Sequence, residues 1–469
     1  MTDSRRFRLL DLIPFVLVLA TAAGARVGYL VTRADGGDTA GPLSVQDASP
    51  ELVMTGDVRT SELDALRGNI KDHHWFGSLA PFANQEERTA HTAPGYPWLV
   101  GELERHLPAE LGPLDRTVRW VQALLGTLTA GLYYLLARRA FPGRIVAVIA
   151  GLLCALHPFW IVNTAALNDG VLATFLLAVC LWLGVRASQI EGGLTSLLYG
   201  AALAGLALTR AALVPFAIVA LLWLLRHGRR VQSGWQVGFL AVVGFLLALA
   251  PWAQRNFQAF GDVYPVVDST YYHLWLGNNS KANGGPLTDE VQQAAWNDAR
   301  KFDSRLPDLD GLAELAQPAR YRQFAHAALA EIASEPDQTI RRRIWSGLYF
   351  FFGKDWFTDQ RLARPTTPGV NIATADPWMD TYLLGSLLLM LLLGVLGWRW
   401  TFAWRREARV LALATMWVPL PYILGSAESL AGPRLPLDGV LLVYAAFVLA
   451  CIAPNGVTTL LRGRPKVED

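Results

Sequence analysis

The chain has 469 residues, 52% of them hydrophobic, with 17 tryptophans and a formal net charge of only +2. That balance is too apolar for a soluble domain of this size, and it offers no basic excess for a nucleic-acid surface. The apolar residues gather in runs of about 18 or more, the length needed to cross about 30 Å of hydrocarbon.

Arg5, Arg6 and Arg8 precede an apolar run from Leu9 to Val31 that is long enough to span and has no clean small-residue cleavage site after it. It reads as an uncleaved first helix. Further spans are expected at 117–137, 143–162, 168–186, 195–209, 211–225, 235–252, 380–398, 408–425 and 436–453. The short basic connections sort to one side. Arg138, Arg139 and Arg144 follow the second span, Arg186 the fourth, and Arg226, Arg229 and Arg230 the sixth. Arg399, Arg405, Arg406 and Arg409 follow the eighth, and Arg462, Arg464 and Lys466 the last. Positive loops stay in the cytoplasm, so both termini are expected inside, and the polar stretches 32–114 and 253–379 fall on the opposite face. The cysteines Cys154, Cys180 and Cys451 all sit within apolar spans, which suits small buried hydrophobes rather than a disulfide framework.

The expected fold class is an all-α polytopic membrane protein of about 10–12 transmembrane helices with two long exterior loops. The chain divides into a tail and first helix (1–31), a first exterior loop (32–114), a helical bundle (115–252), a second exterior loop (253–379), C-terminal spans (380–453) and a cytoplasmic tail (454–469). The first loop predicts one helix at 60–71 and a Pro/Gly-rich return at 92–98. The second predicts soluble helices over 286–340, with Tyr321, Phe324, Ala325, Ala328, Leu329 and Ile332 on one face, ending before Glu335-Pro336. After Arg341-Arg342-Arg343, the run 344–353 is short for a crossing and reads as an interfacial helix with its aromatics at the headgroups.

Chemistry-bearing residues cluster at the exterior helix ends. Pro251-Trp252 is expected to close an apolar helix, leaving Arg255 and Asn256 at the level of an anionic headgroup. Arg can fork onto phosphate oxygens and Asn adds a neutral donor; the bland alternative is an arginine that only anchors the helix end. Arg210, in Leu208-Thr209-Arg210, and Arg434, in Gly432-Pro433-Arg434-Leu435-Pro436-Leu437-Asp438, stand at two more outer ends. Charges so close to hydrocarbon are functional candidates, and the three arginines could meet on one phosphate. In the first loop, His91-Thr92-Ala93-Pro94-Gly95-Tyr96-Pro97-Trp98 reads as a tight return whose aromatics suit a sugar or the membrane interface. His73-His74 with Glu86-Glu87 and His91 would permit a divalent cation, although the spacing matches no metal signature and a hydrated loop is the simpler reading. No phosphate-binding glycine loop, dinucleotide fingerprint or nucleophile elbow occurs.

Taken together, Pro-Gly-Tyr-Pro, Leu-Thr-Arg, Pro-Trp-x-x-Arg-Asn with a later Gly-Asn-Asn (Asn278, Asn279), and Pro-Arg-Leu-Pro resemble the C-type membrane glycosyltransferases. The group concerned is the bacterial relatives of dolichyl-phosphate-mannose–protein mannosyltransferases and aminoarabinose transferases, and the likeness runs from about residue 9 to 453. It implies a polyprenyl-phosphate-linked sugar as donor, a lipid, glycan or protein acceptor, inverting transfer on the outer face of the inner membrane, and a first-loop carboxylate as base. Arg255, Asn256, Arg210 and Arg434 would hold the donor phosphate; His91, Tyr96, Asn278 and Asn279 would meet the substrate or acceptor. Where the family has an acid shortly before a Tyr and a Leu-Ala pair, this chain has Gly56-Asp57-Val58-Arg59-Thr60-Ser61-Glu62-Leu63-Asp64-Ala65-Leu66. There is no Tyr, so Asp57, Glu62 and Asp64 compete for the base, with Asp47 further upstream. Asp169 matches a second acidic position of the family and reads equally well as a helix N-cap. The alternatives are a glycan polymerase or ligase using a lipid diphosphate donor, and a lipid or solute transporter. A transporter should carry inverted repeats and helices broken at mid-membrane, which this sequence does not display.

Overall fold

A computed structural model describes residues 9–35, 60–73, 75–106, 114–141, 143–189, 192–228, 234–285, 287–352, 377–401, 409–425 and 433–452. The membrane part is built from α1 (Leu9–Asp35), α4 (Leu114–Ala140), α5 (Arg144–Ala155), α6 (Pro158–Asn163), α7 (Gly170–Gln189), α8 (Gly193–Thr209), α9 (Val214–Gly228) and α10 (Gly234–Phe260). Four helices complete it: α16 (Pro377–Thr401), α17 (Arg409–Trp417), α18 (Leu420–Leu424) and α19 (Leu435–Ile452). The two long polar segments supply α2 (Thr60–His73), α3 (Gly95–His106), α11 (Thr270–Leu276), α12 (Asp289–Phe302), α13 (Leu309–Glu314), α14 (Gln317–Ser334) and α15 (Pro336–Phe352). Strand among the described residues is confined to β1 (Gly77–Ser78) paired antiparallel with β2 (Glu87–Arg88). The protein is thus an all-α polytopic membrane protein, as the hydropathy pattern predicts.

Ten apolar helical segments coincide with the ten expected spans. Five are long and apolar enough to cross a membrane: 11–31, 116–140, 170–189, 235–260 and 435–452. Five are shorter: 144–155, 193–209, 211–226, 387–399 and 409–424. Two expected spans prove to be broken. The segment 143–162 parts between α5 and α6, where Pro158 takes the first helical position and cannot continue the preceding ladder. The segment 408–425 parts between α17 and α18, ahead of Pro421. Conversely, α10 runs through Pro251 to Phe260 instead of closing there, so Arg255 and Asn256 ride on its last turns. The Trp252 indole donates to Val266 O at 2.6 Å and Asn256 Nδ2 to Tyr264 O at 2.8 Å, which fastens that end despite the missing amide proton. The return at 92–98 is likewise shorter than expected, because α3 begins at Gly95 with Pro97 in its first turn.

The core is a continuous apolar cluster from α4, α5, α7, α8, α9, α17 and α19, with Val18 and Ala22 of α1. α19 is buried nearly all round. Its neighbours instead turn apolar side chains outward, among them Ile13, Phe239, Leu247 and Leu392. Such a belt suits a lipid environment. At one end of the bundle, Asp11 of α1 pairs with Arg138 (3.3 Å) and Arg144 (2.7 Å). At the other stand the helices of the polar segments, around a second cluster of Tyr272, Trp275, Trp296, Leu312, Tyr321 and Phe324. α14 ends at Ser334, before Glu335-Pro336, as the spacing predicts, and Leu329 faces solvent. The run 344–352 is no separate element but the last half of α15, whose Tyr349 and Phe350 turn inward, Phe350 stacking on Tyr422 at 5.5 Å.

Candidate active site

The end of the bundle that carries the polar segments brings three sequence motifs together. Gly95 sits against Leu208 and Thr209: a Cβ there would lie 2.6 Å from Thr209 Oγ1 and 3.0 Å from Leu208 O. Only glycine permits so close an approach. Tyr96, fully buried on α3, donates to Gln122 Oε1 at 3.0 Å. Gln122 in turn donates to the carbonyls of Thr164 (2.9 Å) and Ala166 (2.8 Å), fixing the segment between α6 and α7. Within that segment Asn163 and Asn168 exchange hydrogen bonds, and Asn168 Oδ1 accepts from Gly170 N at 2.9 Å. The capping role expected of Asp169 therefore falls to its neighbour.

Asp169 is 1% exposed, and so is Arg210. Arg210 Nε donates to Asp169 Oδ2 at 2.7 Å and Nη2 to Oδ1 at 2.6 Å. This two-pronged geometry holds both charges away from water at the junction of α7 and α8. A carboxylate gripped in this way has both oxygens committed to one guanidinium and fixes its orientation.

Arg434 is also fully buried and also carries its own acid. Its Nε donates to Asp438 Oδ1 at 2.8 Å, one turn along α19, while Nη1 reaches the Phe351 carbonyl and the guanidinium lies 5.0 Å from the Phe159 ring centroid. Asp438 Oδ2 is hydrogen-bonded to His157 Nε2 at 2.9 Å. This Arg–Asp–His chain joins α15, α19 and the α5–α6 break. Sequence reading named Arg434 alone; Asp438, four residues on, was legible as its helical partner, and His157 as a polar residue inside an apolar run.

Arg255 differs from both. Nη1 donates to Thr89 O (2.8 Å) and Asn256 Oδ1 (2.9 Å), and Nη2 donates to Phe76 O. The rings of Trp252, Phe76 and Phe260 lie 5.0, 5.7 and 5.8 Å from its guanidinium. All these partners are neutral, so among the described residues no carboxylate cancels its charge.

The remaining candidates lie in the layer formed by the polar segments. His91 Nδ1 is hydrogen-bonded to Tyr321 Oη at 2.7 Å, and its carbonyl accepts from Ser269 Oγ at 2.7 Å. Asn278 Nδ2 donates to Leu274 O (2.6 Å) and Asn279 Nδ2 to Trp275 O (3.0 Å), closing α11. Arg343 fastens that corner through the carbonyls of Gly277, Ile423, Leu424 and Gly425, and burial lowers its pKa to about 10, with Arg342 adding to the effect. A group unremarked in the sequence, Asp268, accepts from Gln317 Nε2 at 2.7 Å, while its Oδ2 has no partner. Burial pushes its carboxyl up to about 7, and the Gln317 hydrogen bond pulls it only part of the way back. Nothing in the sequence marked it, since an Asp in a polar loop is ordinary.

Of the first-loop acids, Asp64 is exposed on α2 and paired with Arg67 at 2.9 Å. Glu62 lies in the first turn of α2. Asp57 and Asp47 lie outside the described residues. Of the suggested cation ligands, Glu87 pairs with Arg320 at 2.9 Å and His91 with Tyr321. Among the described residues, no group of three or more His, Cys, Asp or Glu is placed to hold a metal.

Residues 93–254 match the family described as dolichyl-phosphate-mannose-protein mannosyltransferase. Among solved structures, the chain is similar to the apo form of the Archaeoglobus fulgidus oligosaccharyltransferase, with a TM-score of 0.50 and 14% identity over 94% of this chain and 50% of that one. The same enzyme in complex with Zn and sulfate aligns at a TM-score of 0.37 and 15% identity, over 89% of this chain and 53% of that one. The chain therefore spans about half the length of these structures. No curated protein matches it in sequence. The fold is thus similar to that of the archaeal oligosaccharyltransferase, and the family likeness read from the motifs is matched over residues 93–254.

Proposed function

We propose that this chain is an integral-membrane glycosyltransferase that moves a sugar from a polyprenyl-phosphate carrier to a lipid, glycan or protein acceptor on the non-cytoplasmic face, with inversion. The observation that carries this reading is Arg255: a rigidly held guanidinium at the exterior end of α10, facing the first loop, with its charge uncancelled among the described residues. Such a group lowers the barrier by neutralising the phosphate charge that grows as the glycosidic bond breaks. Asn256 fixes the backbone turn behind it, while Arg210 and Arg434 each have their charge met by their own acid. The acceptor hydroxyl must lose a proton to a carboxylate on the far side of the sugar. Asp57 and Glu62 are the candidates for that role; Asp64 is engaged by Arg67 and Asp169 by Arg210. The family match over 93–254 supports the reading, because it covers Gly95, Asp169, Arg210 and the α10 segment up to Gln254.

The test is transfer from a labelled polyprenyl-phosphate hexose into membrane extract. Arg255→Ala should lower the rate by at least a hundredfold, about 3 kcal/mol of barrier. Undiminished transfer removes the phosphate assignment. Asp57→Asn, Glu62→Gln and Asp64→Asn, assayed separately, rank the bases, and full activity in all three discards a base in this loop.

A further inference from the structure

His273 lies in the middle of α11, whose Tyr272 and Trp275 are buried in the aromatic cluster. Tyr272 is locked there by its hydroxyl, which donates to Gln292 Oε1 at 2.7 Å. The same helix turns His273 the other way, out to solvent. Protein closes round it on the remaining sides. Its ring stacks on that of buried His91, with centroids 5.7 Å apart and planes at 22°. At the end of α18, a Cβ on Gly425 would lie 3.3 Å from the His273 carbonyl oxygen. Burial lowers the pKa of His273 to about 4, so its imidazole is neutral at physiological pH. An exposed ring set this deep opens onto a cleft rather than onto the outer surface. Among the described residues, its ring nitrogens have no hydrogen-bond partner.

One strip of backbone ties this ring to the Arg255 site. Arg255 Nη1 holds the Thr89 carbonyl, Asp268 N donates to Ala90 O at 3.1 Å, and Ser269 Oγ donates to His91 O at 2.7 Å. His91 N donates back to Thr89 Oγ1 at 2.9 Å, which makes the strip a tight turn. Two residues span at most about 7 Å, so the carbonyl gripped by Arg255 and the ring that backs His273 are close neighbours.

A neutral imidazole offers one donor and one acceptor, the same pair that a sugar hydroxyl offers. We propose that His273 is a specificity-determining residue for the transferred sugar, its imidazole hydrogen-bonding a hydroxyl of an uncharged hexose whose lipid phosphate is held at Arg255. This rests on the transferase reading above and narrows its donor. An ionised sugar carboxylate at this position would meet a side chain with no charge to answer its own.

Titration calorimetry on the purified full chain tests it. The probes are farnesyl phosphate, its glucose, galactose and mannose conjugates, and its glucuronate conjugate. At least one neutral hexose should raise the affinity about tenfold over farnesyl phosphate, and glucuronate should not. His273→Phe keeps a ring to stack on His91 but has no nitrogen. It should abolish the hexose advantage and leave the affinity for farnesyl phosphate within about twofold. His273→Gln, which keeps a donor and an acceptor, should retain part of the advantage; a residue that served packing alone would give the opposite order. Should His273→Phe fail to fold, diethyl pyrocarbonate labelling of His273 in the wild type takes its place, and the hexose conjugate, not farnesyl phosphate, should protect the ring. The inference is overturned if farnesyl phosphate binds but no hexose improves on it, if glucuronate improves on it equally, or if the improvement survives in His273→Phe. It is overturned too if the hexose leaves the labelling unchanged. If no probe binds the wild-type chain, the donor reading falls with it.

Discussion

Asp169 and Arg210 illustrate how much a single buried pair can demand. Removing one partner leaves an uncompensated charge out of reach of water, which typically costs about 3–5 kcal/mol. Asp169→Asn is therefore expected to destabilise the protein by about that amount in thermal unfolding. Replacing both by apolar residues (Asp169→Leu with Arg210→Met) should cost less than the sum of the two single changes, the mark of a coupled pair. Asp268 makes a different demand, set by pH. Its carboxyl titrates near 7 in the fold against about 4 in an unfolded chain, so the native state holds the proton more tightly. The stability this contributes is complete below about pH 4 and is lost as pH rises through about 7, by an amount of order 4 kcal/mol at most. Unfolding midpoints measured from pH 5 to 8 should fall with rising pH, and Asp268→Asn should flatten the slope; an equal slope in the variant would exclude this residue as its source.

At the scale of elements, close helix contact in this protein rests on glycine. α8 and α10 form its most extensive helix pair, and a Cβ on Gly200 would lie 1.8 Å from Ala241 O, while one on Gly244 would lie 2.1 Å from Leu197 O. Neither neighbour can give way, because both are backbone. Small residues of this kind let membrane helices approach closely. Gly200→Ala should push the pair apart and cost about 3 kcal/mol. Gly205, with open space around it, is the control: Gly205→Ala should leave the unfolding midpoint within about a degree or raise it through helix propensity. These contacts were hidden in the sequence, where glycines within apolar runs carry no sign of which neighbour they admit. Pro251 misled for a related reason. A proline removes one amide bond, yet α10 continues past it, with Trp252, Arg255 and Asn256 fastened to the carbonyls of Val266, Thr89 and Tyr264.

For the whole molecule, the ten apolar segments and the helical polar stretches between them were legible because hydropathy acts over whole spans and averages out local exceptions. The candidate residues could be named one at a time from the sequence; their pairing could not. Asp169 and Arg210 lie 41 residues apart, and each had a sound separate reading. His157 and Asp438 are 281 apart, which no periodicity can register. The orientation deduced from charge is open to a direct check on a chain whose three native cysteines are replaced. A cysteine at Leu329, exposed on α14, should react with a membrane-impermeant maleimide in intact cells. One at Leu194, exposed where α8 begins, should react only after permeabilisation. The reverse pattern would invert the topology and move the candidate site to the wrong face.

His91 and Tyr321, joined in the aromatic layer, are 230 residues apart, and Phe82 is held there, at a φ of 61°, against Trp275 and Phe324. During synthesis, then, the first polar segment emerges long before the rings that will cover it. Phe82 and His91 stay bare until the later segment has been made. A nascent chain halted after α10 would present that unfinished surface to proteases, so the order of synthesis, as much as the final packing, governs how much folded protein accumulates.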